Sequence, residues 1–142
     1  MSTISRHTTN AIHFREAYSQ PLQLDFIDSD GNFFENLIDL QARLIKEETK
    51  EFIEAVEDLY LDPSTDGKTA LLKELADILF VCFQFAAAFN LDLDEASQRV
   101  FESNMSKLGN NGKPIYREDG KVLKGPNYTE PNLFNLVQET VK

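Results

Sequence analysis

Acidic side chains lie where one predicted helix should bury apolar ones. In the segment LIKEETKEFIEA, which runs from Leu44 to Ala55, apolar residues recur with the period of a helix. A helical wheel places Glu48 and Glu51 in the centre of the apolar face and Glu47 at its edge. Burying an ionised carboxylate is costly unless a counter-charge or a proton compensates it, so these acids need a chemical explanation.

A second pair of acids lies on the next predicted helix. In the segment LLKELADILF, Glu74 and Asp77 are three residues apart on one side of an otherwise apolar helix. Counted from the loop between the two helices, Glu51 and Asp77 are nearly equidistant, so an antiparallel pair of helices would bring the acids to one level. The nearby basic residues are Arg43, Lys46, Lys50 and Lys73. We expect none of their side chains to point into that face.

Carboxylates that gather without His or Cys are typical ligands of Mg²⁺ or Mn²⁺, hard cations that share their coordination with water and phosphate oxygens. The sequence therefore predicts a divalent metal site formed by Glu48, Glu51, Glu74 and Asp77. The alternative is structural: the acids could cap layers of a helical bundle, pair with a partner subunit, or lie at a surface that the wheel misplaces.

The pattern of the whole chain predicts an all-α fold in a single domain spanning residues 1–142: a four- to five-helix bundle with a C-terminal hairpin or ordered loop. Helices are expected at about 11–19, 33–61, 69–89 and from Asp92 to near Gly109, with a short last helix within EPNLFNLVQETV. Residues 62–68 form the predicted connection, and Asp119-Gly120 predicts the hairpin. The third helix is apolar almost all round, so we expect it to be buried on several sides, with helices completing the core in an oligomer.

Charge and composition limit the partners. The net charge of −10 disfavours nucleic acid as a partner, whereas small anions stay compatible with it if divalent metal neutralises the site. Cys82 is the only cysteine, so no intramolecular disulfide can form, and we expect it to be a buried small apolar residue in a reducing compartment. The N-terminus lacks the apolar segment of a signal peptide, and the apolar run at 78–89 is too short to span a membrane. The expected location is cytoplasmic, without membrane contact.

The spacing of the acids resembles a known family. The pattern E-x-x-E, 22 residues, E-x-x-D is similar to that of the MazG-like all-α nucleoside triphosphate pyrophosphohydrolases, and the segments KEETKEF and KELADILF look like that family. The segment HFREAYSQPL resembles the family's opening helix. The segment FESNMSKLGNNGKPIYREDGKVLKGPNY is similar to the ending of small, single-domain members related to phosphoribosyl-ATP pyrophosphohydrolase, a group with viral representatives.

This resemblance implies a reaction and a cofactor. Family members convert a nucleoside triphosphate to the monophosphate and pyrophosphate, usually as dimers or as dimers of dimers. Two or more Mg²⁺ or Mn²⁺ ions at the four acids would offset charge on the phosphates and acidify a water molecule, the expected nucleophile. By the same resemblance, Glu47 or Glu48 would position and deprotonate that water as the general base.

The resemblance also implies substrate contacts near the C-terminus. Asn104 and Lys107 in SNMSK would contact the substrate, although a lysine near a helix C-terminus also complements the helix dipole. In GKVLKGPNY, Lys121 and Lys124 would contact phosphates, and Tyr128 is a further expected substrate contact. The alternative is that the two lysines bind no ligand, because exposed lysines are common in hairpins.

These motifs do not indicate which nucleobase the substrate carries. A deoxynucleotide, either a purine such as dGTP or else dUTP, is the expected substrate in control of the nucleotide pool. Phe14 and Tyr18, four residues apart, could present an aromatic wall to the base, but core packing is the commoner role of such a pair.

Three other functions are conceivable for a helical protein with clustered acids. Phosphoribosyl-ATP hydrolysis in histidine synthesis is an alternative because the C-terminal segment resembles that branch. A non-enzymatic helical interaction module is another, and it would need no divalent ion. A ferritin-like di-iron bundle would require Glu-x-x-His pairs, which the sequence lacks.

Overall fold

The computed structural model describes residues 4–138, and within them it is all-helical with no extended strand, which confirms the predicted fold class. The helices are α1 (Arg6–Ala17), α2 (Glu35–Leu61), α3 (Thr65–Ala88), α4 (Leu93–Met105) and α5 (Phe134–Val137). The chain divides into two compact units, one made of residues 4–91 and the other beginning at Asp92.

Helix α1 begins earlier than its apolar pattern indicates. Ser5 is the N-cap, and its hydroxyl accepts a hydrogen bond from the Thr8 backbone N–H at 3.3 Å. The predicted start near residue 11 followed the first apolar residues, but a capping hydroxyl fixes a helix start independently of them. The helix ends at Ala17, ahead of Pro21 as expected.

Helices α2 and α3 form the antiparallel pair that was expected to bring the acids together. Only residues 62–64 connect them, a shorter loop than the predicted 62–68, so the two helices pack side by side in opposite directions. Gly67 makes the tight connection possible, because a Cβ atom at this position would collide with the Asp62 carbonyl oxygen. Helix α1 packs against α3 as well.

The core of the first unit surrounds the C-terminal half of α3. The buried apolar side chains are Ala11, Ala55, Val81, Phe83, Ala86, Ala87, Ala88 and Phe89. The segment between α1 and α2 closes over this end of α3: Gln23 and Leu24 donate backbone hydrogen bonds to the carbonyls of α3, and Phe26 stacks on Phe89 with ring centroids 4.4 Å apart. Cys82 is half-buried rather than fully buried as predicted, and burial raises the pKa of its thiol.

One face of α3 is left exposed by the other described residues, between Leu72 and Phe80. Leu72, Leu75, Leu79 and Phe80 are exposed in the chain, and Leu72 is 67% exposed. A single chain therefore does not bury α3 on all sides, and the expected oligomer that would complete its burial stays a prediction. Besides α2, the helix that packs on α3 is α1, which is only 12 residues long and shorter than α3.

A short turn precedes α2. The segment Asp28-Ser29-Asp30-Gly31 reverses the chain, with an antiparallel bridge between Ile27 and Phe33. The Asp28 carboxylate accepts hydrogen bonds from the backbone N–H groups of Asp30 and Asn32, and Gly31 has φ +85°. Sequence analysis did not assign this turn, although Asp and Gly at such spacing are its usual signal.

The second unit begins with α4. Its N-cap Asp92 accepts a hydrogen bond from the Glu95 backbone N–H at 3.1 Å, as predicted. The helix ends at Met105, not near Gly109, because Ser106 turns the chain: its hydroxyl donates to the Ser103 carbonyl and accepts from the Thr129 N–H.

The predicted hairpin is confirmed in the same unit. Tyr116 pairs with Val122, and Gly120 has φ +90° in the intervening turn. The last predicted helix is reduced to Phe134–Val137, and the end of its predicted segment lies outside the described residues. No helix within residues 4–138 has both the length and the apolar character needed to span a membrane.

Candidate active site

Acids from α2 and α3 converge as the sequence predicts. Glu48 of α2 meets Glu74 and Asp77 of α3, and one carboxylate oxygen from each lies within 4.8 Å of the others. Glu74 and Asp77 are one helical turn apart on the same face of α3, which is the face that packs on α2. We call these three residues the acidic cluster.

Two carboxylate oxygens of the acidic cluster lack a compensating partner among the described residues. One carboxylate oxygen of Glu48 and one of Glu74 are buried without a hydrogen-bond partner among the described residues. Burial raises the pKa of Glu48, and repulsion from Glu51, Asp77 and Glu74 raises it further. Buried polar atoms without partners are rare in proteins, so these two oxygens indicate a ligand.

One lysine reaches the acidic cluster from its own helix. Lys73 Nζ lies 2.8 Å from an Asp77 oxygen and 3.5 Å from a Glu74 oxygen, and the Asp77 carboxylate raises the pKa of the lysine. The expectation that no basic side chain points towards these acids is therefore wrong. Lys73 and Asp77 are four residues apart, a spacing at which a long side chain can reach along the helix surface. The lysine side chain is two-thirds exposed, so its ion pair with the cluster is weak and another cation can replace it.

The chain matches the model of a known protein family. The family model described as the MazG nucleotide pyrophosphohydrolase domain matches residues 38–113, more than half of the chain. The chain belongs to the MazG family. It is therefore a nucleotide pyrophosphohydrolase, an enzyme that hydrolyses a phosphoanhydride bond. A comparison with curated proteins gives no match.

The MazG match includes the whole acidic cluster. It begins within α2 and ends beyond α4, so Glu47, Glu51, Asn104 and Lys107 also lie inside it. Lys121, Lys124 and Tyr128 lie beyond its end. The best-supported part of the resemblance is thus the pair of acid motifs.

Metal dependence is general in the MazG family, and the acidic cluster fits a divalent cation. Its donors are all carboxylate oxygens, the ligands that Mg²⁺ and Mn²⁺ prefer. Two of these oxygens are buried and without a partner, which a cation would correct.

Two of the predicted acids lie outside the acidic cluster. Glu51 is exposed, contrary to the expectation that it lacks solvent, although it is close enough to raise the pKa of Glu48. It borders a groove of about 580 Å³, which is open because small residues line its floor; the lining is Glu51, Glu54, Ala55, Asp58, Asp62, Asp66, Gly67, Ala70 and Glu74. Glu47 is exposed and lies 4.0 Å from Arg43.

The other predicted substrate contacts lie in the second unit. Asn104 is exposed on the last turn of α4, and Lys107 follows the end of the helix. The Lys107 carbonyl accepts a hydrogen bond from the Gly125 N–H at 2.9 Å, an approach so close that a Cβ atom at Gly125 would collide with the carbonyls of Lys107 and Leu108. Lys124 Nζ lies 4.7 Å from the centre of the Tyr128 ring, while Lys121 is exposed in the hairpin.

A group of buried polar residues in the first unit was not predicted. Arg15, Gln41 and Gln84 are 1%, 3% and 3% exposed, respectively. The signal was present for Gln41, which is seven residues before Glu48 and therefore on the same face of α2. Arg15 had no comparable signal, because the apolar residues of α1 do not line up on one face against which a buried polar residue would stand out.

Proposed function

We propose that the protein is a divalent-metal-dependent pyrophosphohydrolase that converts a deoxynucleoside triphosphate to the monophosphate and pyrophosphate. The observation that carries this proposal is the acidic cluster, in which carboxylates of two packed helices converge and leave two buried oxygens without partners. Membership in the MazG family supplies the reaction class. The substrate would be a purine deoxynucleotide such as dGTP, or dUTP.

Glu48, Glu74 and Asp77 would hold two or more Mg²⁺ or Mn²⁺ ions, with Glu51 contributing from its exposed position beside them. Bound there, the ions would neutralise charge on the phosphates and make water a stronger nucleophile. The protein itself positions the ligands on two rigid helices, which keeps the carboxylates close before substrate arrives.

Glu47 and Glu48 are the candidate general bases, and their surroundings differ. Glu48 lies in the acidic cluster, whereas Glu47 precedes it in sequence and is held only by an exposed ion pair with Arg43. An exposed surface ion pair contributes little, so Glu47 can leave Arg43 at small cost. We therefore favour Glu47 as the residue that accepts a proton from the attacking water.

Residues of the second unit would bind the substrate. Asn104 could donate or accept a hydrogen bond, and Lys107, Lys121 and Lys124 could pair with phosphate oxygens. Tyr128, whose ring lies under the Lys124 ammonium, would hold that lysine in place.

The two units would form one catalytic domain over residues 1–142. The family match supports this, because residues 38–113 extend from the first unit into the second. With one cysteine and a net charge of −10, the protein suits the cytoplasm and a small-molecule substrate rather than nucleic acid.

We propose that the chain associates with itself, as a dimer or tetramer, through the exposed face of α3 between Leu72 and Phe80. The exposed apolar side chains there are Leu72, Leu75, Leu79 and Phe80, which would lose contact with water in an assembly. Sedimentation equilibrium should give at least twice the 16.2 kDa mass at micromolar concentration. Leu72→Glu should shift the population towards monomer, and a wild-type monomer at that concentration would contradict the proposal.

The function is tested with a panel of dNTPs and NTPs in the presence of Mg²⁺ or Mn²⁺. We expect equimolar monophosphate and pyrophosphate from at least one deoxynucleotide, and no product in excess chelator. Phosphoribosyl-ATP belongs in the panel, because its preferential hydrolysis would instead place the enzyme in histidine synthesis. Release of orthophosphate in place of pyrophosphate would refute the proposed reaction.

A further inference from the structure

A cavity of about 260 Å³ opens between α1, α2 and α3 in the first unit. Its walls are largely apolar and include Phe14, Leu37, Leu44 and Phe80. Phe14 lies edge-on to Phe80, with ring centroids 5.1 Å apart. We call this space the α1–α3 cavity.

Three buried polar side chains also line the α1–α3 cavity, and each has one atom without a hydrogen-bond partner. These atoms are Arg15 Nη2, Gln84 Nε2 and Gln41 Oε1. The three residues are at least 97% buried. Burying such atoms without partners is unfavourable, so a core used only for packing would have apolar residues at these positions.

The orientation of two of these groups is fixed. Arg15 Nε donates to the Pro21 carbonyl at 2.6 Å, and Arg15 Nη1 donates to Gln84 Oε1 at 3.2 Å. Because the oxygen of the Gln84 amide is used by Arg15, its NH₂ group remains as a donor. Among the residues that line the cavity, Arg15 and Gln84 therefore carry unused donors, one of them charged, and Gln41 carries an unused acceptor.

The α1–α3 cavity adjoins the acidic cluster. Leu44, in its wall, precedes Glu48 by one turn of α2, and Phe80 follows Asp77 by three residues on α3. The acidic groove around Glu51 lies towards the opposite end of the same α2–α3 pair. A substrate with its phosphates at the acidic cluster would thus have this cavity within reach of its other end.

We infer that the α1–α3 cavity binds the nucleobase of the substrate and prefers a base in which a carbonyl group lies beside a ring N–H. A base is flat and apolar on its faces and polar at its edge, which matches the apolar walls and the unused polar groups of the residues that line them. In guanine, uracil and thymine a carbonyl oxygen lies beside a ring N–H, so these bases can accept from Arg15 or Gln84 and donate to Gln41. Adenine has no carbonyl oxygen for the charged donor. The inference rests on the proposed function and specifies its substrate.

Gln41→Leu is the decisive variant, because the oxygen that it removes has no partner within the protein. We expect kcat/KM for dGTP or dUTP, whichever is the better substrate, to fall about tenfold, which corresponds to about 1.4 kcal/mol. Tm should stay unchanged or rise, since an unsatisfied buried atom is lost. Hydrolysis of an abasic deoxyribose triphosphate should be unaffected, and Gln98→Leu, at an exposed position of α4, is the matched control.

Binding is measured separately from turnover. The side-chain amide signals of Gln41 and Gln84 in ¹⁵N-labelled protein should shift when deoxyguanosine or deoxyuridine is added, and shift less with deoxyadenosine. If no triphosphate is hydrolysed but these signals shift, the proposed function fails and the cavity remains a base site. If triphosphates are hydrolysed but neither the signals nor the base preference of Gln41→Leu change, the inference is overturned. A loss of stability in Gln41→Leu with an equal loss on the abasic substrate would make Gln41 structural and also overturn it.

Discussion

Glu48→Gln is expected to lower kcat/KM for the best deoxynucleotide by roughly a thousandfold or more, equivalent to about 4 kcal/mol of transition-state stabilisation. Glutamine has nearly the same shape but no charge, so the variant removes one of three anionic ligands from the acidic cluster while keeping the helix intact. Asp77→Asn should have an effect of similar size from the other helix. Initial rates of pyrophosphate release at saturating Mn²⁺ measure both.

The matched control is Glu57→Gln, which removes one carboxylate from an exposed position of the same helix. Its activity should stay within about twofold of the wild type. If Glu48→Gln and Asp77→Asn are as active as Glu57→Gln, the acidic cluster is not the site of catalysis.

The Tm measured in excess chelator shows whether Glu48→Gln loses activity because it lacks a catalytic carboxylate or because it does not fold. The pKa of Glu48 is raised in the folded protein, so below the ordinary pKa of a glutamate this group leaves stability unaffected. As the pH rises through the raised value, the folded state loses its proton later than the unfolded state, and the free energy of unfolding decreases. Glu48→Gln lacks this loss, and its Tm at neutral pH should exceed the wild-type Tm. A lower Tm would mean that the glutamate is needed for folding.

The convergence of the acids was predictable because it depends on two periodicities and one short loop. Glu48, Glu74 and Asp77 lie on the faces that α2 and α3 turn towards each other, and helical spacing alone identifies those faces. Glu51 obeys the same spacing yet is exposed. Whether a face is covered depends on the size of the residues opposite, and Gly67 and Ala70 leave the groove beside Glu51 open.

What the sequence could not predict depends on side-chain reach and on contacts between distant segments. Lys73 precedes Asp77 by four residues, so a wheel places it beside that acid, and its long flexible stem brings the ammonium to the carboxylate. The hydrogen bond from Arg15 to Gln84 joins residues 69 positions apart, which no local pattern records. The starts of α1 and α3 were misjudged because apolar periodicity reports packing, whereas Ser5 and the short 62–64 connection determine where the helices begin.

Glu47→Gln is expected to lower kcat by about 10²–10⁴-fold, the usual contribution of a general base, while leaving metal binding intact. Glu47 is not among the three residues whose oxygens converge, so the rise in Tm on adding Mn²⁺ should be as large in this variant as in the wild type. Glu48→Gln should instead lose both the turnover and most of that rise. Thermal melting with and without Mn²⁺, together with single-turnover rates, separates the two roles.

Arg43→Gln provides the control for Glu47, because it removes the ion-pair partner at 4.0 Å and leaves the carboxylate in place. Its kcat should remain within a few-fold of the wild type, since an exposed ion pair contributes little to the position of either side chain. A fall as large as that in Glu47→Gln would mean that Glu47 acts by holding Arg43 rather than by accepting a proton. Full activity of Glu47→Gln would leave Glu48 as the remaining candidate base, and the acidic cluster would then supply both the metal ligands and the proton acceptor.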